Sequence, residues 1–212
     1  MEGIYAWQYK YFATVIKRKA VKRIEETPMK VAYPQIGVCG LSCRLCPRYQ
    51  SESKSKCFGC KTESRMAVGC PFITCAIKKR GIEFCWECTE KKACEKWKTR
   101  REFGKSHDSF KCYQMLERDI VFIGKHGITA FEKEQKEREK LLKAMMAEFN
   151  DDRSMSYYCI AATVLGIGEL RAALAKAKKS STGWEIKEKS RLLHSILDGI
   201  AAQKKRSLTL RK

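Results

Sequence analysis

Apolar residues recur at helical spacing near both ends of the chain and lose any period in between. Over residues 4–26, Tyr5, Tyr9, Phe12, Ile16, Ala20 and Ile24 follow i, i+4, i+7 intervals, while Lys10, Lys17, Arg18, Lys22 and Arg23 mostly face elsewhere. This predicts an amphipathic helix that docks its aromatic face onto the rest of the fold, in preference to lying on a membrane surface. Thr27-Pro28 and Tyr33-Pro34 end the pattern and mark a linker. From about residue 109 the period returns. Residues 109–123 read as helix, Gly124-Lys125-His126-Gly127 as a break, and Thr129 with Glu132 as a capping box opening the next helix. Glu132 with Lys136, Glu134 with Arg138 and Glu139 with Lys143 are i, i+4 ion pairs along that helix. Its apolar residues Ile128, Phe131, Leu142, Met145 and Phe149 thin out in the middle, which reads as a solvated face. Asn150-Asp151-Asp152 reads as the cap of a further helix carrying Tyr157, Ile160, Ala161 and Val164. Gly166 and Gly168 interrupt it before Leu170, Ala173, Leu174 and Ala177 resume the stripe. After a Ser180–Gly183 linker, Ile186, Leu193, Ile196, Leu197 and Ile200 line one side of a last helix, and the tail KKRSLTLRK reads as frayed.

The middle of the chain has a different order. Ten of the twelve cysteines lie between Cys39 and Cys94, as CGLSCRLC (Cys39, Cys43, Cys46), CFGC (Cys57, Cys60), CPFITC (Cys70, Cys75), CWEC (Cys85, Cys88) and Cys94. A CxxC turn places two thiolates on one knuckle, and two knuckles complete a tetrahedral site. With few large apolar residues of its own, such a stretch draws folding energy from a metal. Short helices are expected at 72–80, behind Cys70-Pro71, and near 92–101. The expected architecture is therefore mainly α, with an irregular, metal-stabilised cysteine-rich module in which a small α+β element has room. Its parts are an N-terminal helix and linker (1–35), the cysteine module (36–108) and a helical region (109–212).

Composition narrows the setting. The opening residues never run apolar for long enough to form a secretory leader, and no stretch reaches the roughly 18 apolar residues of a membrane span. A cytoplasmic protein with reduced thiols is expected, so metal is favoured over disulfides. The formal charge of +20 is spread over most of the chain, which favours solubility and weak attraction to polyanions without marking a groove.

The order CGLxCxxCP, CxGC, CxxxxCA, a GIE spacer, CxEC and a final Cys resembles an uncharacterised cysteine-rich family of bacterial and archaeal proteins, described as a zinc-binding domain of unknown function. The carrying residues are Cys39-Gly40-Leu41, Cys43, Cys46-Pro47, Cys57, Gly59-Cys60, Cys70, Cys75-Ala76, Gly81-Ile82-Glu83, Cys85, Cys88 and Cys94. ERDIVFIGKHGITAFEKEQKE and RSMSYYCIAATVLGIGELRAAL resemble the helical parts of longer relatives. Relatives often carry one further cysteine just before the position of Cys70, and this chain does not. The resemblance implies a metal and a fold, and it implies no activity.

Two groupings follow from the spacing. Cys43, Cys46, Cys57 and Cys60 form CxxC-x10-CxxC, and Cys75, Cys85, Cys88 and Cys94 form a second set in which Cys70 competes for a place, so that Cys39 and one of Cys70 or Cys75 are left over. Zn2+ is the expected metal, and an iron–sulfur cluster the alternative. Cys39-x3-Cys43-x2-Cys46 also resembles the CxxxCxxC triad of radical S-adenosylmethionine enzymes. Against that stand Leu45, where those enzymes place an aromatic, and the missing βα alternation downstream. Lys78, Lys79 and Arg80 beside Trp86, with Lys91, Lys92, Lys96, Lys98, Arg100 and Arg101 around Trp97, make a candidate nucleic-acid surface. The other reading is that Trp86 and Trp97 cover the metal sites. His107, His126, His194 and Cys112 are weak ligand candidates, and Cys159 reads as a buried small hydrophobe. No catalytic set stands out. The expected role is a zinc-binding protein with a mainly structural metal, acting through a protein or nucleic-acid partner; the alternative is an iron–sulfur redox protein.

Overall fold

The computed structural model describes residues 31–54, 56–62 and 70–212. The helix expected at 4–26 and the Thr27-Pro28 break lie outside them. Among the described residues there are seven α-helices: α1 (Pro47–Gln50), α2 (Pro71–Ile73), α3 (Glu95–Ser106), α4 (Leu116–Phe149), α5 (Met155–Val164), α6 (Ile167–Ser180) and α7 (Ile186–Gln203). α2 runs on as a π-helical turn over Thr74–Lys79, and 3-10 turns form at Cys43–Leu45 and Cys85–Glu87. The two shortest helices both begin on proline, where the missing N–H costs nothing and the fixed φ is already helical. The chain is mainly helical, and among the described residues no strand forms, only one isolated antiparallel bridge between Ile36 and Ser42. That leaves no α+β element in the described part of the module, and no βα alternation.

α4 to α7 close over one apolar core. Leu142, Met145, Phe149, Tyr158, Ala161, Leu170, Ala173, Leu174, Ala177, Leu193 and Leu197 are all buried in it, as their i, i+3, i+4 spacing predicts. Each Leu or Phe fully removed from water contributes about 1.5–3 kcal/mol. The cysteine module joins this core through Leu45, and a second small cluster, Ile36, Phe84, Ile123 and Phe131, ties it to both segments of α4. Val31–Lys212 accordingly forms one compact unit across the boundary expected at 108/109.

Five expectations change. The helix foreseen from residue 109 starts at Leu116, because Asp108 draws residues 107–115 into a loop by accepting from the Tyr113 amide at 2.5 Å. The break foreseen over residues 124–127 narrows to Gly127, at φ 81° and ψ 163°, inside an otherwise continuous helix. No capping box forms there: the Thr129 hydroxyl pairs with Tyr33 at 3.0 Å, and Glu132 pairs with Arg44 and Lys136. The middle of α4 is not a solvated face. Gln135, Arg138 and Glu139 are buried, Arg138 donating to the carbonyls of Ala162 and Leu165 at 2.8 and 2.7 Å while Glu139 accepts from Arg44 at 2.7 Å. The three i, i+4 pairs do form. Finally, the basic tail is docked. Leu208 is buried, and Arg211 pairs with Asp108 at 2.9 Å and donates to the carbonyls of Lys105 and Gly104.

Candidate metal centre

The cysteines sit on tight turns rather than on regular elements. Residues 36–42 fold back on themselves, with the Gly37 amide donating to the Leu41 carbonyl at 2.9 Å and the Gly40 amide to the Gly37 carbonyl at 2.9 Å. Gly40 takes φ 91°, and a Cβ there would meet the Trp86 ring at 3.1 Å. The CFGC turn needs its glycine for the same reason: Gly59 takes φ 109°, and a Cβ would lie 3.1 Å from the Pro34 carbonyl. The Cys43–Cys46 and Cys85–Cys88 pairs each close a one-turn knuckle, Cys46 N to Cys43 O at 3.0 Å and Cys88 N to Cys85 O at 3.3 Å. The Cys85 amide donates to the Val38 carbonyl at 2.9 Å, so the CxEC knuckle is anchored to the first turn.

Glu83 of the GIE spacer fastens this assembly. Its carboxylate accepts from the amides of Ala32 and Tyr33 at 3.0 and 2.9 Å and from the Lys61 ammonium at 2.6 Å. Lys61, next to Cys60, is buried and lies over the Phe84 ring at 3.8 Å. Phe84 in turn stacks on Trp86 at 4.3 Å. The sequence assigns Glu83 and Lys61 no metal or fastening role: each stands among other charged residues, Lys78, Lys79 and Arg80 before Glu83 and Glu63 and Arg65 after Lys61, so nothing in the sequence pairs them.

The ten cysteines divide into two sets. Cys39, Cys43, Cys46, Cys57, Cys60 and Cys70 line one cavity of about 340 Å³. Val38, Leu41, Ile73 and Tyr113 supply apolar wall, and Lys111 and Arg100 bring positive charge to it. Lys111 Nζ reaches Cys43 Sγ at 3.7 Å. Burial pulls the pKa of its ammonium down, but the nearby Cys43, Cys46, Cys60 and Cys39 outweigh that and raise it. The neighbouring Cys60 thiol, with burial opposing and Lys111 assisting, holds the Cys43 pKa low, and that of Cys60 is correspondingly held high. A Cβ on Gly37 would lie 3.2 Å from Cys60 Sγ and 3.6 Å from Cys39 Sγ, so glycine leaves the space these two sulfurs share. Cys39, left over by the spacing argument, thus joins Cys43, Cys46 and Cys60 around Lys111, while Cys57 and Cys70 complete the wall.

The second set gathers around Cys85. Burial pushes the Cys85 thiol up to about 12, helped by Cys39 and by Cys94, Cys75 and Cys88 nearby. Arg80 pairs with Glu90 at 2.5 Å, and Cys75 and Cys88 help Glu90 to raise the Arg80 pKa. As they stand, no three His, Cys, Asp or Glu side chains among the described residues converge closely enough to hold a single ion.

The remaining candidates lie elsewhere. Cys112 and Cys159 are buried in the helical core, where burial pushes their thiols up to about 11 and about 12. His107 is exposed and stacks on Phe103, and His126 is exposed near Gly127. His194 stacks on Tyr157 and hydrogen-bonds Ser154 at 2.9 Å within the bundle. Trp97 is buried and Trp86 is occupied by Phe84, whereas Lys78, Lys79, Lys91, Lys92, Lys96 and Lys98 are exposed. No helix among the described residues is long and apolar enough to cross a membrane.

Residues 35–99 match a family model described as "Protein of unknown function (DUF3795)". The match covers the cysteine-bearing turns and stops inside α3. No curated protein and no solved structure matches the chain.

Proposed function

We propose that residues 36–108 are a thiolate metal-binding module with two sites, that the quartet Cys75, Cys85, Cys88 and Cys94 takes zinc, and that the metal is mainly structural. The carrying observation is the gathering of six cysteines around one cavity, with Cys75, Cys85, Cys88 and Cys94 outside it, on turns that lack a sizeable core of their own. Four thiolates at about 2.3 Å would close a tetrahedral zinc site. Metal binding then supplies the folding energy that Val38, Ile73 and Ala76 alone cannot. Thiol ligands of this kind persist in a reducing compartment, which fits a cytoplasmic protein.

A structural metal leaves the surface to act on a partner. Lys78, Lys79, Lys91, Lys92, Lys96 and Lys98 are exposed around the zinc quartet, so a polyanion such as a nucleic acid is a partner this face suits. With Trp97 buried and Trp86 stacked on Phe84, contact there would be made to phosphates rather than by base stacking.

Elemental analysis of protein purified without oxygen tests the metal. Zinc bound in stoichiometric amount and lost in Cys85→Ser and Cys88→Ser is expected; a metal-free protein with intact thiols would refute the reading. For the partner, binding to random DNA or RNA should weaken with salt and fall in a Lys78→Ala, Lys79→Ala, Arg80→Ala variant. No binding at low salt removes the nucleic-acid role and leaves a protein partner.

A further inference from the structure

Six cysteines around one cavity are more than a zinc site can use. A closed tetrahedral zinc site takes four thiolates and encloses nothing but the ion. The space bounded by Cys39, Cys43, Cys46, Cys57, Cys60 and Cys70 is about 340 Å³, within the size range of cofactor and ligand pockets. The quartet around Cys85 contributes none of its sulfurs to that cavity. The two sets therefore differ in the size of object they can surround.

The walls match a polynuclear cofactor. Cys39 and Cys60 bring their sulfurs to the one space beside Gly37, at 3.6 and 3.2 Å from a Cβ placed there, and Cys43 and Cys46 share a single knuckle whose Cys43 Sγ lies 3.7 Å from Lys111 Nζ, so two pairs of thiols meet in this cavity beside one cation. Lys111 donates toward Cys43 Sγ, and hydrogen bonds to ligand sulfurs are among the features that set cluster potentials. Arg100 lies 4.3 Å over the Tyr113 ring and 5.9 Å from that of Phe72, and hydrogen-bonds the Tyr113 hydroxyl. It brings a second fixed positive charge to the cavity. Val38, Leu41 and Ile73 keep the inner wall apolar. Lys111 and Arg100 on the wall of a thiolate pocket offset the net negative charge of a cluster held by four thiolates.

We infer that Cys39, Cys43, Cys46 and Cys60 bind an iron–sulfur cluster in this cavity, beside a zinc ion in the Cys75, Cys85, Cys88, Cys94 quartet. This rests on the reading of the module as metal-binding and assigns a different metal to each set. Cys57 and Cys70 line the same cavity as thiols outside the ligand set.

The test uses the full chain, produced with iron and zinc supplied and purified anaerobically, then reconstituted with ferrous iron and sulfide. About four iron and four sulfide per chain, if the cluster is of the [4Fe–4S] type, are expected together with about one zinc, and a brown colour that dithionite bleaches. Cys43→Ser and Cys46→Ser should lose iron and colour while keeping zinc, and Cys88→Ser should lose zinc while keeping iron. Should the serine variants fail to fold, Lys111→Gln leaves every ligand in place. It should retain iron but shift the cluster's midpoint potential to a more negative value. Two zinc and no iron after reconstitution would overturn the cluster and leave the metal module standing. Iron lost from Cys88→Ser but retained in Cys43→Ser would overturn the assignment of sets. An unshifted potential in Lys111→Gln would place the cluster away from this cavity. No bound metal at all would remove both proposals.

Discussion

Glu83 is the residue on which most of the module's fastening converges. It holds two backbone amides and a lysine that is buried over an aromatic ring. Removing the carboxylate strands a buried ammonium, and breaking such a pair from one side costs about 3–5 kcal/mol. Glu83→Ala should lose that much in urea unfolding of the metal-loaded protein. Lys61→Met in the same background should recover part of it, because the uncompensated charge goes too. Asp119 behaves in the opposite sense. Burial raises its carboxyl to about 6, against the pull of Arg118, which bonds it at 2.7 Å. An acid whose folded pKa lies above its unfolded value binds more protons when folded, so its effect is to lower stability as pH rises from about 4 to 6 and to keep it lowered above. Asp119→Asn should therefore be more stable than the parent at pH 7 and lose that advantage at pH 4, as thermal melts across that range would read. Neither residue was legible in the sequence. A cysteine declares its chemistry by type and spacing, whereas a lone glutamate or aspartate declares nothing until burial assigns its partner.

At the scale of elements, helix type and core stripes were readable because period 3.6 shows directly in residues such as Leu170, Ala173, Leu174 and Ala177. The middle of α4 was not. Arg138 and Glu139 read as surface residues, yet each satisfies groups that packing has removed from water: the last carbonyls of α5 and the guanidinium of Arg44. Polarity predicts exposure only where no partner is buried opposite. The break at residues 124–127 was visible in its glycines, but only one of them carries it. Gly127 sits at φ 81°, ψ 163°, a region open essentially to glycine alone. Gly127→Ala should cost about 1–3 kcal/mol from backbone strain, while Gly124→Ala, with φ in the ordinary range and open space around its Cβ, should be neutral or stabilising. Chemical denaturation of the two variants side by side separates them.

Across the whole molecule, cohesion is unequal. The helical bundle owns one large buried core, while the cysteine turns rely on small clusters and on ties to α4 such as Arg44 with Glu139 and Glu132. Chelating the metal should therefore loosen residues 36–106 without melting α4 to α7. Hydrogen exchange should accelerate in the turns, with helical circular dichroism retained; loss of both together would mean that the module and bundle unfold as one. The fold class followed from sequence, since helical period depends on local spacing, and the proposed zinc quartet rests on spacing in the same way. The six-cysteine cavity did not, because Cys39, Cys70 and Lys111 are brought to it by turns whose closure no spacing rule encodes.

The pairing of Cys43 with Cys60 carries a practical warning about the history of a sample. Their pKa values are drawn in opposite directions, Cys43 down and Cys60 up, and two neighbouring thiols so polarised are ones between which oxygen or peroxide readily forges a sulfur–sulfur bond. A preparation left in air with its cavity empty would cross-link there and refuse metal afterwards. Its emptiness would then record storage, and a titration of free thiols, run before any metal assay, would tell the two apart.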